Sequence, residues 1–147
     1  MKKYTFLPVF LLLAVSLSSC GGKAESTGDL KQSREGFETL IAQYKVPLYP
    51  GGEFVEIGKV DNLDAAIYKT GDSADKVLEF YSGKIKELKL SGGNITPALP
   101  RKVNGKDVSV KFIQVLPLGN DPLDIVVSMP GKTGAPEYQL IAFAMGY

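Results

Sequence analysis

Two short motifs bring together residue types that could carry out acyl transfer. Ser73-Ala74-Asp75-Lys76 places a serine three residues before a lysine, and Lys132-Thr133-Gly134 adds a second lysine later in the chain. Residues three apart on a helix lie on one side, so the amine of Lys76 could activate the hydroxyl of Ser73 as a nucleophile. Whether these groups form an active site depends on the elements that position them.

Together the two motifs resemble those of serine β-lactamases and penicillin-binding proteins. The third motif of that family, Ser-Asp-Asn or Ser-x-Asn, is absent, and the chain beyond its N-terminal segment has about half the length that the family fold requires. Ser73 also stands where a helix is expected to begin, and a serine there commonly caps the helix. We therefore predict a structural role for Ser73, no catalytic residues and no enzymatic activity.

Residues that could hold a metal or a cofactor are sparse. The chain has no histidine and one cysteine, which excludes histidine-based triads, thiolate zinc sites and internal disulfides. Gly52 and Gly58-Lys59 are spaced one residue too far apart for a phosphate-binding loop, and Val60 replaces its Ser or Thr. Four aspartates fall near predicted turns: Asp61, Asp64, Asp121 and Asp124. They lack the spacing of a calcium loop, so we predict turn formation and neither metal nor cofactor.

The N-terminal segment has the pattern of an export signal. Met1-Lys2-Lys3 is basic, and an apolar run from Phe6 to Leu17 follows. Such a run is too short to cross a bilayer as a helix, which needs about 20 residues, but it has the length of a signal-peptide core. Leu17-Ser18-Ser19-Cys20 comes directly after it.

This arrangement resembles the lipobox of bacterial lipoproteins, in which small residues precede an obligatory cysteine. The resemblance implies cleavage after Ser19, a diacylglycerol on the Cys20 thiol and an acylated amine, and two or three acyl chains hold a protein on a membrane far more firmly than one. Gly21 follows in place of an aspartate, which by the sorting habit of enteric bacteria implies the outer membrane, facing the periplasm. The alternative is an unmodified signal peptide with an incidental cysteine.

The charge balance gives no reason to expect a nucleic-acid partner. Without Lys2 and Lys3 the chain keeps 15 basic and 16 acidic side chains, a net charge of −1. Six basic residues fall near the expected helix end and the following hairpin: Lys84, Lys86, Lys89, Arg101, Lys102 and Lys106. A solvated face explains most of this group, and weak contact with anionic lipid is the alternative.

These patterns divide the chain into a signal peptide (1–19), a lipidated flexible tether (20–36) and a single domain (37–147). The tether is polar, with Leu30 as its one large apolar residue, so we expect a chain that begins near Arg34 to keep its stability. A two-turn amphipathic helix then follows, with apolar residues at helical spacing: Phe37, Leu40, Ile41 and Tyr44. We expect this helix to dock on the domain because it is too short to be stable alone.

The stretch from Thr70 to Gly93 predicts one long helix. Asp72 or Ser73 suits its start, Ser91-Gly92-Gly93 suits its end, and apolar residues recur on one face: Val77, Leu78, Tyr81, Ile85 and Leu88. Five segments predict strands: 53–60, 63–70, 107–116, 123–129 and 137–145. The segment 94–103 contains Pro97 and Pro100, which predict an edge strand or an irregular crossing. Asp61-Asn62 and Asn104-Gly105 suit hairpin turns. The predicted fold class is α+β, an antiparallel sheet of about five or six strands with one long helix packed on one face, plus a short N-terminal helix.

The last predicted strand is apolar on both faces. Tyr138, Leu140, Ala142 and Ala144 share one face, and Ile141, Phe143 and Met145 share the other. One helix covers one face only, so the second face requires the helix of residues 37–44, a partner subunit or a ligand. We treat Ile141, Phe143 and Met145 as the candidate binding face, for an envelope protein or for a second copy of the chain.

The domain also resembles an uncharacterised bacterial secreted or lipoprotein module. The shared residues are Tyr49-Pro50-Gly51, Thr70 with Asp72-Ser73, and Phe80-Tyr81. The module often ends its helix in Gly-Trp, where this chain has Lys89-Leu90. The resemblance implies no known activity.

Two classes of function remain. The first is a membrane-anchored, non-enzymatic lipoprotein that binds another envelope protein or has a structural role. The second is a carrier of a small ligand or lipid in an apolar groove between helix and sheet. A carrier needs an internal cavity of several hundred Å³, whereas a binding module needs an exposed apolar patch.

Overall fold

The computed structural model describes residues 27–116, 121–129 and 139–146. Its elements in chain order are α1 (Thr27–Leu30), α2 (Arg34–Gln43), β1 (Glu53–Val60), β2 (Leu63–Thr70), α3 (Ala74–Glu87), β3 (Gly92–Ile95), β4 (Leu99–Val103), β5 (Lys106–Val115), β6 (Leu123–Ser128) and β7 (Gln139–Met145). The predicted signal peptide, Cys20, Lys132-Thr133-Gly134 and Tyr138 lie outside the described residues.

The strands of the described residues form one antiparallel sheet in the order β3-β5-β4-β1-β2-β7-β6. β5 is ten residues long, so it pairs with β4 along its first half and with β6 along its second half. The additional pairing of β5 with β6 closes the sheet on itself. Between β1 and β4 the described register contains the pair Val60 and Val103 alone, so the two strands diverge from that point.

The predicted fold class is wrong in both its sheet and its helix. The described residues form seven strands rather than five or six, because the segment from 94 to 103, predicted as an edge strand or an irregular crossing, contributes to two strands, β3 and β4, on either side of Pro97. Proline lacks the N–H that a ladder needs and restricts the residue before it, so the strand is interrupted there. No long helix covers one face of the sheet in the described residues, where α2 has 10 residues and α3 has 14.

Helix α3 is shorter than predicted at both ends. Thr70 still belongs to β2, where it pairs with Gln139, and the Ser73 hydroxyl caps the helix by accepting from the Lys76 amide at 3.3 Å. At the other end the helix stops at Glu87, and Gly92 already lies in β3. The two predicted hairpins are confirmed, since Asp61-Asn62 joins β1 to β2 and Asn104-Gly105 joins β4 to β5.

The sheet has an apolar cluster on each side. One cluster joins α2, α3 and the sheet, and it contains Ile141, Phe143 and Met145 of β7. The other contains Ala142 and Ala144 of the same strand, with small or β-branched residues from β1, β2, β4, β5 and β6. Six strands contribute to this second cluster, so the curved sheet itself covers that side. The side with Ile141, Phe143 and Met145, for which the sequence suggested the helix of residues 37–44, a partner or a ligand, packs with α2 and α3.

The folded part of the chain begins earlier than the predicted boundary at residue 37. Thr27–Leu30 is helical, Leu30 packs against the core, and α2 begins at Arg34 with Ser33 as its N-cap. Lys31 is 4% exposed, and its Nζ donates to the Gly146 carbonyl oxygen at 2.7 Å. Residues 27–36 are therefore packed on the domain. Their polar composition did not indicate this packing, because the aliphatic part of a lysine can be buried while its ammonium group donates a hydrogen bond to an oxygen.

Candidate functional site

The serine and lysine that could form a nucleophile pair have separate structural roles. The Ser73 hydroxyl caps α3, and the Lys76 ammonium donates to the Asp72 carboxylate at 2.8 Å. The Lys76 ammonium is thus paired with a carboxylate and not with the Ser73 hydroxyl, so Lys76 is not placed to act as a base towards Ser73. Asp72 also accepts from the Tyr49 hydroxyl at 2.8 Å, which ties the start of α3 to the chain before β1.

Three of the four aspartates considered for calcium binding, Asp61, Asp64 and Asp124, are paired with cations. Asp61 accepts from Arg101 at 2.6 Å and from the Lys102 amide at 2.9 Å, and Asp64 accepts from Lys59 at 3.0 Å. Although partial burial raises the pKa of Asp61, the Lys102 amide and the Arg101 guanidinium outweigh it and lower that pKa. In the described ranges no group of three or more His, Cys, Asp or Glu residues is placed to hold a metal ion.

Arg101 connects the strands on the second side of the sheet. Its Nη1 donates to Asp124 at 3.1 Å, and its guanidinium lies 5.1 Å from the centre of the Phe112 ring. The other oxygen of Asp124 accepts from Gln114 at 3.0 Å. The side chains of Arg101 and Asp124 are only 11% and 10% exposed, so this group is a nearly buried, hydrogen-bonded ion pair. Lys84 and Lys102 pair with Glu87 and Asp107. Three of the six basic residues that the sequence groups together therefore have separate carboxylate partners.

The predicted binding face is buried in the core. Ile141 and Phe143 are 0% exposed and Met145 is 3% exposed. The Phe143 ring makes edge-to-face contacts with Tyr68 and Tyr81, at centroid distances of 5.6 and 5.9 Å. These residues hold the helices on the sheet, so they present no face to a partner.

A cleft that the sequence did not reveal lies between the C-terminal ends of α2 and α3. It has a volume of about 250 Å³. Its lining comes from the residues that follow each helix and from the end of β5: Gln43, Tyr44, Lys45, Lys89, Leu90, Ser91, Val115 and Leu116. The floor is mostly apolar and two lysines stand at the rim, which suits a ligand with an apolar part and a negative charge.

Both rim lysines adopt a backbone conformation that usually requires glycine. Lys45 has φ 59° and Lys89 has φ 53°. At the end of α3, Leu90 N–H donates to the Ile85 carbonyl and Lys89 N–H to the Lys86 carbonyl, which is the Schellman pattern with Lys89 in the glycine position. A side chain in this left-handed region costs about 1–2 kcal/mol. The lysines therefore end the helices at a cost that glycine would avoid.

The ammonium groups of the two rim lysines have no carboxylate partner nearby in the part of the chain that the structure describes. Neither the Lys45 nor the Lys89 ammonium has an ion pair or a side-chain hydrogen bond among the described residues. On the floor of the cleft, the Tyr44 hydroxyl donates to the Asp121 carbonyl at 2.7 Å, and burial, followed by the Asp121 charge, raises the pKa of Tyr44. The floor is thus fixed by a hydrogen bond, while the charges at the rim are exposed.

Comparisons with known proteins add no assignment, since no family model, curated protein or solved structure matches the chain. Of the helices that the structure describes, none combines the length and the apolar character needed to cross a bilayer. The argument for function therefore rests on the N-terminal motif and on the cleft.

Proposed function

We propose that the protein is a lipoprotein of the bacterial cell envelope, held on the membrane by a lipid on Cys20, and that its domain is a non-enzymatic binding or structural module. The observation that carries this proposal is Leu17-Ser18-Ser19-Cys20 behind a basic start and a short apolar core. Gly21, in place of aspartate, supports the outer membrane as the destination.

The domain supports a binding role over catalysis. Its side chains with reactive potential, such as Ser73 and Lys76, are committed to capping a helix and to an ion pair. Its cleft instead combines an apolar floor with two unpaired ammonium groups, an arrangement that suits recognition at a surface.

The experiment compares Cys20→Ala with a control, Ser18→Ala, which keeps a small residue two positions before the cysteine. We expect the wild-type and Ser18→Ala chains to be found in the membrane fraction, with mass spectrometry detecting a diacylglyceryl group on Cys20. Cys20→Ala should accumulate as an unprocessed precursor without lipid. An unmodified Cys20 in the membrane fraction would contradict the proposed anchor.

A further inference from the structure

We infer that the cleft between the helix ends is the face that the domain lays on an anionic membrane surface. This docking face comprises the rim lysines Lys45 and Lys89 and the exposed residues Leu88 and Leu116. The inference rests on the anchoring part of the proposed function and adds the orientation of the domain on the bilayer.

The first argument is charge. Neither Lys45 nor Lys89 has a carboxylate partner among the described residues, so both ammonium charges are available to an anionic surface. A lysine held close to an anionic leaflet gains about fivefold in binding, so two of them change the ratio of docked to undocked protein by about 30-fold.

The second argument is the backbone conformation. A lysine at φ 53–59° is unfavourable at a helix end where glycine is the ordinary residue. Two such lysines border the same cleft, at the ends of two different helices. Unfavourable backbone conformations gather at sites where the side chain has a use. The use that both lysines share is to project a positive charge from one rim.

The third argument is apolar exposure beside the charges. Leu88 is 41% exposed and Leu116 is 43% exposed. Leucines flanked by lysines are typical of surfaces that enter the interface of a bilayer, where the apolar groups reach the acyl chains and the ammonium groups remain at the headgroups.

The fourth argument is reach. Cys20 precedes the first described residue, Thr27, by seven positions, which span at most about 25 Å. α2 connects this end of the chain to the cleft, and a helix of 10 residues is about 15 Å long. A domain held so closely can rest α2 along the membrane with the cleft in contact with the headgroups.

The test uses the mature lipidated protein, in which the lipid blocks the thiol of Cys20, the one native cysteine. Leu116→Cys places a single reactive thiol on the docking face, and Lys106→Cys places one at the other end of β5, about 30 Å away. Each is labelled with an environment-sensitive fluorophore. The proteins are then reconstituted in phosphatidylcholine vesicles with or without phosphatidylglycerol, and quenching by spin-labelled lipid is measured.

We expect the fluorophore at position 116 to be quenched and the one at position 106 not to be quenched. The quenching at 116 should require phosphatidylglycerol and should weaken as salt is added. Lys45→Gly with Lys89→Gly should abolish it without unfolding the domain, because glycine suits both backbone positions. Lys59→Ala with Lys102→Ala removes the same charge elsewhere and should leave it intact.

Three results would overturn the docking face: equal quenching at both positions, quenching that ignores phosphatidylglycerol and charge, or a response at position 116 to polyglutamate without lipid. The last would assign the cleft to an acidic protein. In the first two cases the protein stays on the vesicle. Failure of the anchor is distinct, since an unlipidated protein would not remain with the vesicles at all.

Discussion

Phe143 is the residue whose truncation most directly tests how the helices are held on the sheet. It is fully buried in β7, between Ala66 of β2 and Ile125 of β6 in the ladder. Its ring contacts Tyr68 at 5.6 Å and Tyr81 of α3 at 5.9 Å, both edge to face. Removing the ring therefore opens a cavity at the point where sheet and helix meet.

The expected cost can be worked out in two steps. Phe143→Leu keeps much of the volume but loses two aromatic pairs, each contributing about 0.5–1.5 kcal/mol, so it should lower the free energy of unfolding by about 1–3 kcal/mol. Phe143→Ala also leaves a cavity and should cost about 3–5 kcal/mol. Phe54→Leu is the matched control, because Phe54 makes one such contact with Tyr68, at 5.6 Å, and is only partly buried.

The assay is urea denaturation of the monomer, with sedimentation across concentrations to detect association. We expect the three variants to rank Phe143→Ala, Phe143→Leu, Phe54→Leu from most to least destabilised, with no change in association. If Phe143→Ala costs less than about 1 kcal/mol, or changes association instead of stability, Phe143 is not the core residue that its burial implies.

Three further predictions concern charges and the N-terminal packing. Arg101→Met should lower the free energy of unfolding by about 3–5 kcal/mol, because it leaves Asp124 nearly buried and unpaired. Lys102→Ala, at the exposed Lys102–Asp107 pair, should lower it by less than about 1 kcal/mol. Midpoints of urea denaturation compare the two variants. Burial, followed by the Asp72 hydrogen bond, raises the pKa of Tyr49 from 10.0 to about 12, so its contribution to stability is complete below pH 10 and is lost as the pH rises to about 12. Tyr49→Phe should flatten that part of the stability–pH profile, and an unchanged profile would contradict this account. A chain that begins at Arg34 loses the Leu30 packing and the Lys31–Gly146 hydrogen bond, so its melting temperature should fall by several degrees, contrary to the expectation from composition.

Local features of the fold could be predicted from the sequence where a single residue type determines them. Ser73 caps α3 because its hydroxyl suits the free amides of a first turn, and Asn104-Gly105 turns because both residues tolerate positive φ. The double-faced apolar pattern of β7 correctly indicated a strand covered on both sides. The helix of residues 37–44 was among the predicted covers for the side with Ile141, Phe143 and Met145, and it packs there. The cover of the other side could not be predicted, because it depends on the closure of the sheet between β5 and β6, which no local pattern encodes.

The cleft escaped prediction for a related reason. The sequence places Gly92 and Gly93 where a helix could end, and glycine is the usual residue for that role. The helix instead ends at Glu87, with Lys89 in the glycine position. Residue type and spacing do not indicate that a lysine has a positive φ, so only the structure shows that two such lysines lie at the rim of one cleft.

The position of β7 between β2 and β6 determines when this protein can fold. Residues of β2 pair with residues of β7 about 70 to 80 positions later in the chain, which is the largest sequence separation among the described strand pairs. A chain exported N-terminus first would have β1 and β2 outside long before their neighbour arrives. Under the proposed export and anchoring, Ala65, Ala66 and Ile67, all buried in the native state, would then be exposed during transit. Such a segment is prone to pair with the wrong strand, so an envelope chaperone that shields β2 until the last residues emerge would raise the yield of folded protein.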